Sequence, residues 1–283
     1  MKILVTGATG FIGGHVINEL LKRNVEIIAS STSLEKAKQK SWFNQVSFIE
    51  HDMNDIDEVD LKIKFLKPDC IIHLAWNGLP NYEKIFHIEK ELFLQYNFIK
   101  NIVSSGIENV NISGTCLEYG MQEGCLNETS NLPMPSNPYA LAKDSLRKFL
   151  LVLQKTMPFS LKWLRLFYLY GSNQNANSLI PQLQSALDKK QQFFNMSLGD
   201  QIRDYLKIED AAKFIVDVSI QTRMDGVINV SSNSPIKVLD LVTSYLASTN
   251  NSISLNLGYF SYPEYEPFAF WGDNSKLKSI INE

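Results

Sequence analysis

The chain has 283 residues, enough for one large domain or two at about 150 residues each. Hydrophobic residues make up 45% and charged residues 20%, and 27 Lys and Arg against 30 Asp and Glu leave a net charge of −3. That balance excludes a disordered or collagen-like chain and argues against nucleic acid or an anionic membrane as the main partner.

Three cysteines, Cys70, Cys116 and Cys125, form no CxxC pair, so neither a disulfide framework nor a metal site is expected. No uncharged apolar run approaches the roughly 18–20 residues that cross a bilayer. Gly7 interrupts the N-terminal apolar stretch before it could serve as a signal-peptide core. The expected compartment is the cytoplasm.

In chain order, Lys2–Thr6 reads as a buried strand and Gly13–Arg23 as a helix with Val16, Ile17, Leu20 and Leu21 on one face. Val25–Ala29, Val46–Glu50 and Cys70–Ala75 follow as strands, the last announced by the turn pair Pro68-Asp69. A long helix is predicted over about 85–105, then the strand Asn109–Ser113, a helix from near Pro138 and a strand around Leu161–Phe167. Such alternation predicts an α/β fold, a Rossmann-type doubly wound parallel sheet covered on both faces. After Gly171 the pattern loosens into a polar loop, a helix over Ser178–Lys190 and the aromatic, proline-bearing stretch Tyr259–Trp271. Residues 1–170 are therefore expected to form the dinucleotide-binding domain, with 209–232 returning to it. Segments 171–208 and 233–283 would form a smaller C-terminal substrate-binding lobe.

Between the first strand and first helix stands Thr6-Gly7-Ala8-Thr9-Gly10-Phe11-Ile12-Gly13-Gly14. Glycines there let the backbone turn sharply and approach a pyrophosphate, whose charge is met by N–H groups at the helix start. The spacing is GxxGxxG rather than GxGxxG, and an empty Gly-rich turn is the alternative. Its place in the alternation favours a dinucleotide cradle of Gly7, Thr9, Gly10, Phe11, Ile12 and Gly13. The second strand ends in Ser30, Ser31 and Thr32, with Lys36 a turn later and no acid but Glu26 between Val25 and Glu35. NAD-selective sites carry an acid here to bind the ribose hydroxyls; hydroxyls and a lysine suit a 2′-phosphate. NADP is expected over NAD.

Asn137-Pro138-Tyr139-Ala140-Leu141-Ala142-Lys143 puts Tyr139 and Lys143 four residues apart, on one face of a helix. An ammonium beside a phenol lowers its pKa from about 10 toward working pH, so Tyr139 could exchange a proton with a carbonyl or carbinol oxygen. Upstream, Ser113-Gly114-Thr115-Cys116-Leu117-Glu118-Tyr119-Gly120 leaves a strand end. Thr115, or else Ser113, could bond the same oxygen; the alternative for Thr115 is a turn residue closing its own backbone bond. His73 reads as a hydrogen-bonded core histidine, and His15 and His87 lack metal-ligand partners at i+4.

The glycine-rich opening, His73-Leu74-Ala75, the Ser113–Gly120 turn, the Tyr139–Lys143 helix and Arg203-Asp204-Tyr205-Leu206-Lys207-Ile208-Glu209-Asp210 resemble, in order and spacing over nearly the whole chain, the extended short-chain dehydrogenase/reductase family. The resemblance implies NAD(P)-dependent chemistry on nucleotide sugars, with Thr115, Tyr139 and Lys143 as the hydride-transfer site and Lys143 also holding the nicotinamide ribose. It implies further cofactor contacts from Asp52 and Met53, where Asp52 matches an adenine-binding acid, and from Leu74 and Ala75. Arg203 matches an arginine that pairs with the substrate pyrophosphate, its alternative being a salt bridge to Asp204 or Asp200. Tyr168 stands where the family has an amide, and no Lys or Arg lies between Leu257 and Phe270, where a second phosphate-binding arginine is often found.

Family 4,6-dehydratases carry an Asp-Glu pair after the threonine; Cys116 and Leu117 stand there, which argues against elimination. The expected reaction is NADPH-dependent reduction of a nucleotide-linked 4-keto-6-deoxy sugar. The alternatives are an NAD-retaining nucleotide-sugar epimerase and a non-catalytic NADP-sensing module. Family helices like those near 85–105 and Tyr139–Thr156 pair across a dimer axis, so a homodimer is expected.

Overall fold

The computed structural model describes residues 1–54 and 64–281, so 55–63 and 282–283, within the expected segments 1–170 and 233–283, lie outside the description. Strands β1 (Lys2–Thr6), β2 (Glu26–Ser31), β3 (Ser47–Glu50), β4 (Cys70–His73) and β5 (Asn109–Thr115) come first, with helices α1 (Phe11–Leu20), α2 (Leu34–Lys38) and α3 (Leu92–Ser104) between them. Then follow β6 (Gly124–Leu126), α4 (Pro138–Leu153), β7 (Ser160–Leu166), β8 (Tyr168–Tyr170), α5 (Leu179–Asp188), β9 (Phe193–Asn195) and β10 (Ile202–Lys207). The chain continues through α6 (Ile208–Ile220), β11 (Gly226–Val230), β12 (Pro235–Lys237), α7 (Val238–Ser248), β13 (Ser254–Asn256), β14 (Phe270–Gly272) and α8 (Ser275–Ile281).

Seven strands form one sheet in the order β11-β7-β5-β4-β1-β2-β3, and every neighbouring pair is parallel. Strand order reverses at β1, so the crevice above β1 and β4 is the topological switch point where a doubly wound sheet binds its ligand. The strands are apolar on both faces because helices cover both. Ile3 and Val5 join Val16, Ile17 and Leu20 of α1 and Ala211, Ala212, Ile215 and Val216 of α6 in one core layer. Their alternating neighbour Leu4 joins Ile71, Ile99, Ile102, Leu146 and Leu150 of β4, α3 and α4 in the other. The period-two alternation of a strand produces this split.

The later elements add small sheets: β8, β10 and β12; β9 with β13; and β6 with β14. The β6–β14 pair ties residues Phe270–Gly272 back to the segment after β5, and the C-terminal helix α8 packs its Leu277 and Ile280 into the core of the main sheet.

Two predicted boundaries move for physical reasons. Helix α1 begins at Phe11 rather than Gly13, because Gly10 already has extended backbone and acts as its N-cap. The long helix predicted from 85 opens instead with a π-helical turn, His87–Glu91, before α3. Glu91 is wholly buried there, and π-turns inside helices mark places where a side chain must be aimed.

Candidate active site

The cradle is set by backbone geometry. Gly7 has φ +68°, and a Cβ there would lie 2.8 Å from the Ala75 amide nitrogen, so the turn packs directly on the Leu74-Ala75 end of β4. The Gly10 N–H donates to Gly7 O at 2.9 Å, and Ala8 N donates to Ser30 O at 3.1 Å, joining the cradle to the end of β2. No side chain caps the N-terminus of α1 and its first turn holds no acid. Its free N–H groups face the switch point, the setting that a pyrophosphate fits.

A methyl group on Gly13 would stand 2.3 Å from Gly7 O and 2.9 Å from Ala8 Cα, and backbone cannot yield as a side chain does. Gly13→Ala is expected to weaken dinucleotide binding at least tenfold and to lower the melting temperature, overpacking of this kind costing about 1–3 kcal/mol. Titration followed by tryptophan fluorescence, with a thermal melt, checks both.

Below the cradle runs a buried polar chain. Thr6 Oγ1 and His73 Nδ1 are 2.8 Å apart, His73 Nε2 meets Gln95 Oε1, and Gln95 Nε2 donates to Glu91 Oε1 at 2.7 Å. Glu91 also accepts from the Asn77 N–H at 2.8 Å. Burial pulls the His73 imidazole down to about 4, so it is neutral at ordinary pH. It is a core histidine that pins β1, β4 and α3 together.

Asn137 caps α4 by accepting from Ala140 N, with Pro138 in the first turn, which fixes where Tyr139 and Lys143 emerge. Lys143 Nζ donates to Ser113 O at 2.7 Å and lies 3.9 Å above the Trp76 ring. It stands 6.0 Å from the Tyr139 ring centroid. Trp76, Tyr82 and His87 surround the Tyr139 ring with centroids 5.7, 5.4 and 5.3 Å away.

The expected acidification of Tyr139 is not what these groups produce. Burial pushes the phenol well above its ordinary value, and the charges of Tyr82, Glu118 and Cys116 push the same way. Burial also draws the Lys143 ammonium down to about 7, with Glu118 and Glu91 opposing. Desolvation outweighs the mutual attraction of the pair, and the protein's own groups keep Tyr139 in its proton-carrying form.

Ser113 Oγ donates to His73 O at 3.3 Å. The Thr115 hydroxyl accepts from Leu117 N at 3.3 Å, so the turn-closing role is real. An accepting hydroxyl still has its own proton to donate. Glu118 closes the same turn by accepting from Thr115 N at 2.9 Å. It also accepts from Trp163 Nε1 at 2.9 Å and from Arg165 Nε at 2.8 Å, so Glu118 is a buried anchor. Burial pushes the Cys116 thiol far up, which leaves it unable to act as acid or base near neutral pH.

Cys116, Leu117, Tyr119, Tyr139 and Phe270 pack in one cluster, with Trp76, Tyr82 and Tyr168 against it. The turn after β5, the start of α4 and the start of β8 thus meet at one wall. Arg203 comes to the same wall, its guanidinium 5.8 Å from the Tyr168 ring centroid. It pairs with neither Asp204 nor Asp200: Nη2 donates to Glu266 Oε2 at 3.0 Å and Nη1 to Phe268 O at 2.9 Å. Asp204 instead binds Ser232 N, Asn233 N and Gly272 N. Tyr82, Trp76 and Glu266 were not among the residues predicted from sequence; only Trp76, next to Ala75, carried a signal that could have found it. The Tyr259–Trp271 stretch is only partly packed, with Tyr259, Phe260 and Phe268 exposed and Phe270 buried.

Of the predicted cofactor residues, Gly7, Thr9 and Gly10 lie in the turn between β1 and α1, Phe11, Ile12 and Gly13 in the first turn of α1, and Leu74 and Ala75 leave β4 beside them. Ser30 and Ser31 end β2. Asp52 and Met53 follow β3, where Asp52 Oδ1 accepts from Asn54 N at 2.9 Å. Hydrogen bonds from Asn54 hold its carboxyl below the ordinary value.

Residues 3–231 match the profile of the NAD dependent epimerase/dehydratase family. The chain belongs to that family. Among its relatives, the dTDP-6-deoxy-L-talose 4-dehydrogenase (NAD(+)) of Aggregatibacter actinomycetemcomitans is 27% identical over 275 residues, covering 96% of this chain and 99% of that one. The GDP-6-deoxy-D-talose 4-dehydrogenase of the same organism is 28% identical over 286 residues, covering 99% and 91%. A UDP-glucose-4-epimerase from Stenotrophomonas maltophila, solved with NAD and formylated UDP-arabinopyranose, superposes with a TM-score of 0.87 at 17% identity over 100% and 92% of the two chains. This family member thus has the α/β fold expected of it, while the NADP preference drawn from Ser30, Ser31 and Thr32 finds no support among relatives named for NAD. Among the described residues no helix is long and apolar enough to cross a membrane.

Proposed function

We propose that this chain is an NAD-dependent oxidoreductase acting at C4 of a nucleotide-linked 6-deoxyhexose, interconverting the 4-keto and 4-hydroxy forms. Reduction of a 4-keto-6-deoxy sugar and dehydrogenation at C4 are the two directions of one reaction. The 4-dehydrogenases among the relatives support this class; the cradle supports the cofactor class. The observation that carries the reading is the meeting of Tyr139, Lys143 and the Thr115 turn at one buried wall beside the switch point of the sheet.

A nicotinamide dinucleotide, when bound, supplies or accepts the hydride at C4. The Gly7–Gly13 turn and the N-terminus of α1 would hold its pyrophosphate, and Leu74, Ala75 and Lys143 would line its nicotinamide end. In the reductive direction Tyr139 donates its proton to the C4 oxygen as that oxygen gains negative charge. Thr115 donates a second hydrogen bond to the same atom, and the Lys143 ammonium favours the phenolate left behind. In the oxidative direction the phenolate takes the C4 hydroxyl proton back. The aromatic surround of Trp76, Tyr82 and His87 excludes water, which strengthens each of these interactions.

Arg203 is the family-matched candidate for the substrate diphosphate. Its side chain is 2% exposed and both Nη groups are engaged, with Glu266 and with Phe268 O, so a diphosphate would have to displace Glu266 to use the guanidinium fork. Elimination is disfavoured because Cys116 and Leu117 offer no acid–base pair. Segments 171–208 and 233–274 would form the lobe that holds the sugar nucleotide, whereas α6 and α8 pack into the core of the main sheet. Exposed Phe93 on α3 and Phe149 and Val152 on α4 form an apolar helix face suited to a second copy of the chain.

Incubation with a nucleoside-diphosphate 4-keto-6-deoxyhexose and NADH is expected to consume the reduced-nicotinamide absorbance and yield the 6-deoxyhexose. A C4 epimer formed without net change in NADH would identify an epimerase instead. Cofactor binding without any turnover, across a panel of such sugars, would identify a sensing module.

A further inference from the structure

The end of β2 carries no acid, yet the neighbouring strand brings one to the same place. Ser31, the last residue of β2, pairs in parallel register with Glu50, the last residue of β3. Paired residues of adjacent strands project to the same face of a sheet. From there Glu50 Oε1 accepts from the Leu34 N–H at 2.8 Å, the first amide of α2. The loop between is closed at its other side by Ser33 Oγ, which accepts from Lys36 N at 3.3 Å. Among the described residues the buried Ser31 hydroxyl has no hydrogen-bond partner.

A dinucleotide on the cradle places its adenosine ribose at the end of β2, where an acid about 20 residues beyond the glycine turn ordinarily holds the 2′-hydroxyl. A 2′-phosphate needs the opposite surroundings: amide or cationic donors and no carboxylate. Here the Leu34 N–H, a backbone donor close to the end of β2, is already held by a carboxylate. Its charge would disfavour a phosphate at the end of β2, and Lys36 and the Ser30–Thr32 hydroxyls would have to outweigh it.

We infer that Glu50, reaching across from β3, is the residue that selects NAD over NADP, with the Ser31 hydroxyl completing the ribose contact. Resting on the dinucleotide reading of the cradle, this inference adds to it the residue that decides the cofactor. It also explains why a scan of β2 alone points to NADP: the acid is supplied by the next strand.

Binding of NAD and of NADP to the whole chain, measured by calorimetry without substrate, tests it. Wild type is expected to bind NAD at least tenfold more tightly than NADP. Glu50→Gln keeps an oxygen to accept from Leu34 N–H while removing the charge. It should tighten NADP roughly tenfold and weaken NAD, so that the NADP-to-NAD ratio moves by more than about tenfold. That gain should shrink as salt rises, since the site is exposed to solvent.

Glu50 is a surface residue, and an unchanged thermal melt would confirm that the variant folds as wild type does. An unaltered NADP-to-NAD ratio in Glu50→Gln, or a wild type that prefers NADP, would overturn the assignment while leaving the cradle standing. Failure of wild type to bind either dinucleotide would instead overturn the reading of the cradle itself.

Discussion

Replacing Tyr139 by Phe is expected to lower kcat for C4 reduction by about 10²–10⁴-fold while the affinity for NAD changes less than threefold. The phenol oxygen is the only atom removed. The ring keeps its contacts with Trp76, Tyr82 and His87, so packing and the Lys143 bond to Ser113 O survive. Loss of kcat with KM and cofactor affinity intact distinguishes a proton donor from a structural tyrosine; an equal loss of cofactor binding would argue for the latter.

The pH dependence follows from the same environment. Burial holds the Tyr139 pKa well above its ordinary value, so in the protein alone the phenol keeps its proton through neutral pH. Reduction, which needs that proton and the Lys143 ammonium, should be fastest below neutral pH and fall as pH passes about 7. Oxidation, which needs the phenolate, should rise with pH. Burial draws Lys143 to about 7, so the cofactor-free site loses the ammonium's help to the phenolate as pH climbs past that value. Initial rates in both directions across pH check the opposed slopes, and Tyr139→Phe should remove the rise of the oxidative limb.

The second large effect is on stability. Glu118→Ala is expected to cost about 3–5 kcal/mol and to lower the melting temperature by about 10 °C. It strands three donors at once: the Arg165 guanidinium, the Trp163 indole N–H and the Thr115 N–H. Both members of the Arg165–Glu118 pair are buried, at 1% and 0% side-chain exposure, so the guanidinium is left without a counter-charge in a desolvated site. The effect belongs to the uncompensated charge rather than to the pair. Accordingly, the double variant Glu118→Gln with Arg165→Met should recover much of the loss, since a buried pair exchanged for apolar packing is often neutral. A single variant no less stable than wild type would refute the anchoring role. Activity should fall with stability in the single variant, because the Glu118 cap positions the turn that presents Thr115.

How much of this could be read from the chain depends on how far apart the interacting residues lie. The cradle was legible because its physics is local: Gly10 N–H meets Gly7 O, and Gly13 leaves room for that same carbonyl. The Tyr139–Lys143 face was legible because four residues on a helix make one turn, with Asn137 and Pro138 marking the start of α4. The parallel sheet was legible because strand and helix periods alternate in the sequence.

What these residues face was decided only by the tertiary structure. Burial, a property of the whole packed site, raised the Tyr139 phenol where a two-residue argument lowered it. Arg203 chose Glu266, 63 residues away, over the acids beside it, because the loop before β14 runs beside β10, Ile202 bridging Ala269. Glu118 met Arg165 across 47 residues because β5 and β7 are neighbours in the sheet. The acid at the end of β2 came from β3 because sheet register sets Ser31 level with Glu50. Glycine spacing and helical turns are written into adjacent positions, whereas strand order and desolvation arise only once distant segments are packed together.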